Sequence, residues 1–187
     1  MAGGLEHPDL GGPDLSGPDL GGVAGEMRSA WRAEQEDATA DAATAWRHGR
    51  MLADWLTERM HAGDRVAVTL AERRFTGLVN EVGADLIVLD CAFGRVDVHL
   101  VPGVPIAFEL DEKARRGGSR AASSRTFRDA LIARDAQPDT SVGTLHEPEG
   151  LDGTLYVGRD FVSVVARMGA ETVIPLDNVV WVSARRA

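Results

Sequence analysis

A chain of 187 residues with 44% hydrophobic side chains has material for one large domain or two small ones, each with a packed core. Its longest apolar runs, such as Leu86 to Leu89, fall far short of the roughly 20 residues that cross a bilayer, and the acidic, Gly-rich start lacks a leader pattern, so a cytoplasmic protein without membrane contact is expected. The net charge of −9 is unevenly spread, with five acids and no base in residues 1–27 but six bases and no acid in residues 113–128, and the acidic remainder argues against general nucleic-acid binding.

Residues 1–27 read as a disordered acidic tail of Gly, Pro, Asp and Leu. Three Pro-Asp-Leu units start at Pro8, Pro13 and Pro18. A pentapeptide with one leucine cannot bury enough apolar area to offset the entropy of ordering itself, so this is not a repeat fold. From Ser29 to about His61 the spacing becomes helical. Trp31, Ala38, Ala42, Ala45, Trp46, Gly49, Leu52, Leu56 and Met60 fall on one face, with Trp55 beside it. Ser29 is placed to cap the start and Gly63 to stop the end. The tryptophan face Trp31, Trp46 and Trp55 either packs on its own domain or docks a partner.

Five short strands are predicted next, at 64–70, 75–83, 85–92, 95–101 and 105–110, rich in Val, Ile, Leu and Phe and punctuated by Gly83, Gly94, Pro102, Gly103 and Pro105. Such closely spaced strands suggest a small barrel. A basic flexible linker follows at 113–123. The helix expected from Ser124 to Ala136 carries Phe127, Ala130 and Leu131 on one side and a Thr126 to Asp129 capping box. Strands resume at 140–147, 151–158, 161–167, 171–176 and 179–184.

The two strand blocks resemble each other. With an offset of 75, Gly83 aligns with Gly158, Asp85 with Asp160, Leu86 with Phe161 and Gly94 with Gly169. A helix, a glycine-bearing strand, a Gly-x-Asp turn, an apolar strand, a glycine turn and two short strands: this pattern resembles the Sm-like fold, covering residues 28–110 once and 122–186 again, within domains expected at 28–112 and 124–187. The resemblance implies an α+β chain, mainly β, of two tandem five-stranded barrels, each preceded by a helix. The chain as a whole is also similar to an actinobacterial family that often carries the label "Fis family transcriptional regulator". A Fis-type reader needs a helix-turn-helix in the major groove, and the C-terminal pattern here is strand, turn and strand. The Sm-like RNA residues are absent too. Leu86 and Ile87, or Phe161 and Val162, follow the turn aspartates where the family has Asn, and neither half has the Arg-Gly of the last strands.

The chemistry is sparse. No GxSxG, GxxxxGK[ST], GxGxxG or HExxH motif occurs, and the five histidines (His7, His48, His61, His99, His146) show no ligand spacing. No catalytic residue, cofactor or metal is therefore assigned. The single Cys91 follows an apolar run, where a buried structural thiol fits. Lys113, Arg115, Arg116, Arg120, Arg125 and Arg128 could contact phosphates or an acidic partner, or simply lie solvated. The reading that results is a non-enzymatic regulator or adaptor whose partner is another protein. The alternative is a nucleic-acid-binding regulator using residues 113–128. Edge strands could also join the two barrels into an internal pseudo-dimer or build a small homo-oligomer.

Overall fold

The computed structural model describes residues 20–70, 73–101, 103–114, 117 and 123–184. The chain divides into two compact units, Met1–Arg50 and Met51–Ala187.

In the first unit, helix α1 spans Leu20–Gly49. The Pro-Asp-Leu units begin in residues 1–19, outside the described residues, but residues 20–27 are helix and not tail. Ser29 is no cap: it lies inside α1, its hydroxyl donating to the Glu26 carbonyl at 2.8 Å, the back-bonding available to a serine within a helix. Nor does the expected helix run unbroken to His61. It stops at Gly49, and α2 begins afresh at Leu52 and ends at Ala62. Met51 is extended (φ −89°, ψ 159°), and its N–H donates to the Asp54 carboxylate at 2.9 Å, so an acid three residues on supplies the second start. Gly63 terminates α2 as expected, in the left-handed conformation (φ 75°) that costs glycine nothing.

The second unit is mixed α/β. Among its described residues, α2 and α3 (Phe127–Ile132) accompany ten strands: β1 Arg65–Leu70, β2 Arg73–Val82, β3 Leu86–Cys91, β4 Gly94–His99, β5 Ile106–Glu112, β6 Thr140–Thr144, β7 Leu151–Val157, β8 Phe161–Val165, β9 Glu171–Pro175 and β10 Val179–Ala184. All fall within the segments read from alternation and turn residues, give or take two residues at their ends. The Thr126 capping box forms as well, with Thr126 Oγ1 accepting from the Asp129 N–H at 3.2 Å and the Asp129 carboxylate accepting from the Thr126 N–H at 2.9 Å.

The strands form one antiparallel sheet in the order β5-β1-β2-β3-β4-β10-β6-β7-β8-β9. The second five repeat the order of the first. The seam between the blocks is β4 against β10, in the register Trp181↔Val98, Val182↔Asp97 and Ser183↔Val96.

Two apolar clusters follow from the two faces of the central strands. Successive side chains on a strand point oppositely, and β3 sends Ile87, Leu89 and Cys91 into one cluster and Leu86 and Val88 into the other. Both faces being buried, Leu86 to Leu89 reads as a continuous apolar run. Helix α2 closes the first cluster with Leu56 and Met60; α3 closes the second with Phe127, Ala130 and Leu131. The clusters trade residues across the seam. Trp181 and Val180, from β10 of the second block, sit in the first cluster. Trp181 is fully buried, its ring edge-on to Phe75 at 5.1 Å, in space that Gly143 leaves open: a Cβ there would fall 1.9 Å from Trp181 Nε1.

Candidate interaction site

The Gly-x-Asp turns join β2 to β3 and β7 to β8, and their backbone bonding is duplicated. The Gly83 N–H donates to the Leu86 carbonyl at 2.7 Å, and the Gly158 N–H to the Phe161 carbonyl at 2.9 Å. The Asp85 carbonyl accepts from the Leu100 N–H at 2.8 Å, and the Asp160 carbonyl from the Leu176 N–H at 2.9 Å. All four residues thus take part in backbone bonds that close the two turns. The first turn has a further duty. The Asp85 carboxylate accepts the Phe127 N–H at 2.6 Å at the start of α3. His99 stacks on Phe127 at 4.4 Å and bonds through Nδ1 to the Val179 carbonyl at 2.9 Å. Gly83 has to be glycine there, because a Cβ would fall 2.2 Å from the Arg125 carbonyl oxygen. One turn thus fixes the start of the second block.

The basic segment is split by this arrangement. Arg115, Arg116 and Arg120 lie outside the described residues, and Lys113 is exposed just after β5. Arg125 and Arg128 are held by the fold. Arg125 Nη1 donates to Glu81 at 3.2 Å, while Arg128 donates to the carbonyls of Gly158 (Nη2, 3.2 Å) and Arg159 (Nε, 3.3 Å). Each arginine spends part of its hydrogen-bonding capacity on a turn or strand of the fold.

The tryptophans separate in the same way. Trp31 and Trp46 on α1 are 63% and 61% exposed, with Met27 at 69%. Arg50 stacks over the Trp46 ring at 4.4 Å. Trp55, on α2, is half-buried against the first apolar cluster, with Arg59 5.6 Å over its ring. Its ring packs on that cluster. Cys91 is buried as expected, and burial pushes its thiol up to about 11.

A charged network that the sequence did not announce lies at the seam. Asp97 of β4 is fully buried and accepts from Arg134 Nε at 3.1 Å and Nη2 at 2.8 Å, and from Arg95 Nε at 2.9 Å. Arg95 Nη2 reaches Glu81 at 3.4 Å, the carboxylate that also holds Arg125. Three guanidinium groups face two carboxylates. The signal was present in "RVDVHLV": an acid between Val96 and Val98 in a strand buried on both faces must find a cation, since an unpaired buried carboxylate is prohibitively costly. What local pattern could not supply was which cation.

No group of three or more His, Cys, Asp or Glu arranged to hold a metal ion occurs among the described residues, and no described helix is long and apolar enough to cross a membrane. A scan against protein-family models finds no match to this chain, and a search of curated proteins finds none either.

Proposed function

We propose that this chain is a tandem Sm-like protein, an internal pseudo-dimer of two small barrels, that acts without catalysis as a regulatory or adaptor module by binding another protein. The repeated strand order, the turn bonds duplicated at an offset of 75 and a helix ahead of each block support the architecture. The observation that carries the function is α1: a 30-residue helix whose Met27, Trp31 and Trp46 stand more than 60% exposed. Large apolar side chains left open along one helix are the anchors that helix-in-groove recognition uses, and tryptophan is the residue most enriched at binding hot spots. Nucleic-acid binding through residues 113–128 is the weaker alternative, because Arg128 is already bonded to two carbonyls and Phe127, the aromatic residue of that segment, is buried and offers no base a stacking face.

The test is affinity capture from a native lysate with the tagged 187-residue chain, beside the double variant Trp31→Ala, Trp46→Ala, together with sedimentation of each purified protein. A stoichiometric protein partner or a second copy, retained by the wild type and lost by the variant, is the expected result. Absence of both, or equal retention by the variant, refutes the reading. Capture of nucleic acid that washes away with salt would transfer the function to the basic segment.

A further inference from the structure

The seam network leaves a cationic cleft beside it. Arg95, Arg125, Arg134 and Gln137 line a cavity of about 180 Å³, kept open by the small side chains of Ala130 and Ala133. Asp97 is the one carboxylate in its lining, against three arginines; Glu81 holds Arg95 and Arg125 from outside the lining, and Asp129 adds a negative charge near Arg125. The donor capacity is not used up. Arg134 spends Nε and Nη2 on Asp97, Arg95 spends Nε on Asp97 and Nη2 on Glu81, and Arg125 spends Nη1 on Glu81. Nη1 of Arg134, Nη1 of Arg95, and Nε and Nη2 of Arg125 have no hydrogen-bond partner among the described residues. Arg134 is also rigidly placed: its side chain is 9% exposed and anchored through two bonds to a fully buried carboxylate.

We infer that this cleft is a binding site for a compact phosphate-type oxyanion, held by the free guanidinium edges of Arg95, Arg125 and Arg134. Planar guanidinium forks match the oxygens of phosphate, and charge-assisted bonds to an anion are roughly twice as strong as neutral ones. Size sets the ligand class. Pockets for drug-sized molecules run to about 300–1,000 Å³, so a cleft of about 180 Å³ takes the phosphate group itself, free or as the head of a small monoester. The site draws Arg95 and Glu81 from the first strand block, Arg125 from the segment between the blocks and Arg134 from beyond α3, so a bound anion would tie the blocks together. This inference is independent of the reading of α1.

The test is thermal unfolding of the full chain against rising inorganic phosphate, with sodium chloride adjusted to hold ionic strength near about 0.15 M, where exposed charges are screened beyond about 8 Å. Parallel titrations use glycerol 3-phosphate and a single-stranded RNA oligonucleotide. The unfolding midpoint should rise with phosphate and saturate, as binding to the folded state alone requires. Phosphorus NMR of inorganic phosphate should broaden on adding the wild-type protein, a readout that needs no variant. Arg125→Gln, whose side chain makes one ion pair, should weaken binding about tenfold or more. Arg167→Gln, on a side chain 84% exposed and outside the cleft, should leave it unchanged. A tighter response to glycerol 3-phosphate identifies a monoester; a tighter one to inorganic phosphate identifies the free ion. The inference is overturned by any of three results: no rise beyond that in chloride with no broadening, equal binding by Arg125→Gln, or binding of RNA alone.

Discussion

Replacing Asp97 by Ala should destabilise the second unit more than removing either of the part-buried contacts to Glu81 in the same network. Asp97 is completely buried and its two oxygens serve Arg134 at 2.8 and 3.1 Å and Arg95 at 2.9 Å. After the substitution the two arginines fare differently. The Arg95 side chain, 39% exposed, keeps Glu81 and can turn to water; the Arg134 side chain, 9% exposed, keeps a buried charge without a partner. Breaking a buried pair in this way costs about 3–5 kcal/mol, whereas Arg95→Gln, which leaves Asp97 both bonds from Arg134 and empties one buried acceptor oxygen, should cost less, about 1–3 kcal/mol. For a chain of this size each kcal/mol moves the melting midpoint by about 2–4 °C, so Asp97→Ala should melt roughly 6–20 °C lower. Urea unfolding followed by fluorescence gives the free energies, and an unchanged slope would show that the denatured state is not altered. A loss below about 1 kcal/mol for Asp97→Ala, or parity with Arg95→Gln, would show that Arg134 finds water or another acceptor, and the account of the seam would fail.

Gly143→Ala should cost several kcal/mol, about 1–3 or more from overpacking alone, since its Cβ would collide with the ring of Trp181; Gly25→Ala, with nothing within 4 Å in α1, should be neutral or stabilising, and urea midpoints separate the two. Acrylamide should quench the emission of Trp31 and Trp46 but not that of Trp181, so the double variant Trp31→Phe, Trp46→Phe should lose most of the quenchable signal. Cys91 should resist a thiol reagent at pH 8 until the protein is denatured. Because burial raises its thiol from 9.0 to about 11, its contribution to stability is complete below pH 9.0 and is lost as pH rises toward about 11, a decline that Cys91→Ser should flatten. The Asp129 carboxyl is held below its ordinary 3.8 by its hydrogen bonds from Thr126, so its contribution is present above that pH and is lost as pH falls through the lowered value. Thr126→Ala should shrink that acid limb in a pH series of melting midpoints.

The sequence alone determined the local features, because alternation, turn residues and caps act over a few neighbours. Ten strand segments, the Gly63 stop, the Thr126 capping box and the duplicated Gly-x-Asp turns were all legible in that way. Periodicity misled in the long helix. Alanines, tryptophans and leucines keep a helical spacing through Arg50, but spacing does not register that Asp54 can take the Met51 N–H and start a new helix. It does not separate a side chain that is covered from one left open either, so Trp31 and Trp46 read like Trp55 although the first two stand exposed and Trp55 packs on an apolar cluster of its own unit. Tertiary structure decided what depends on partners distant in sequence. The pairing of β4 with β10 merges two strand blocks into one sheet, and Asp97 meets Arg134 across 37 residues of chain. Those choices rest on burying apolar faces and neutralising a charge against groups that no local window contains, and they set the cleft at the seam.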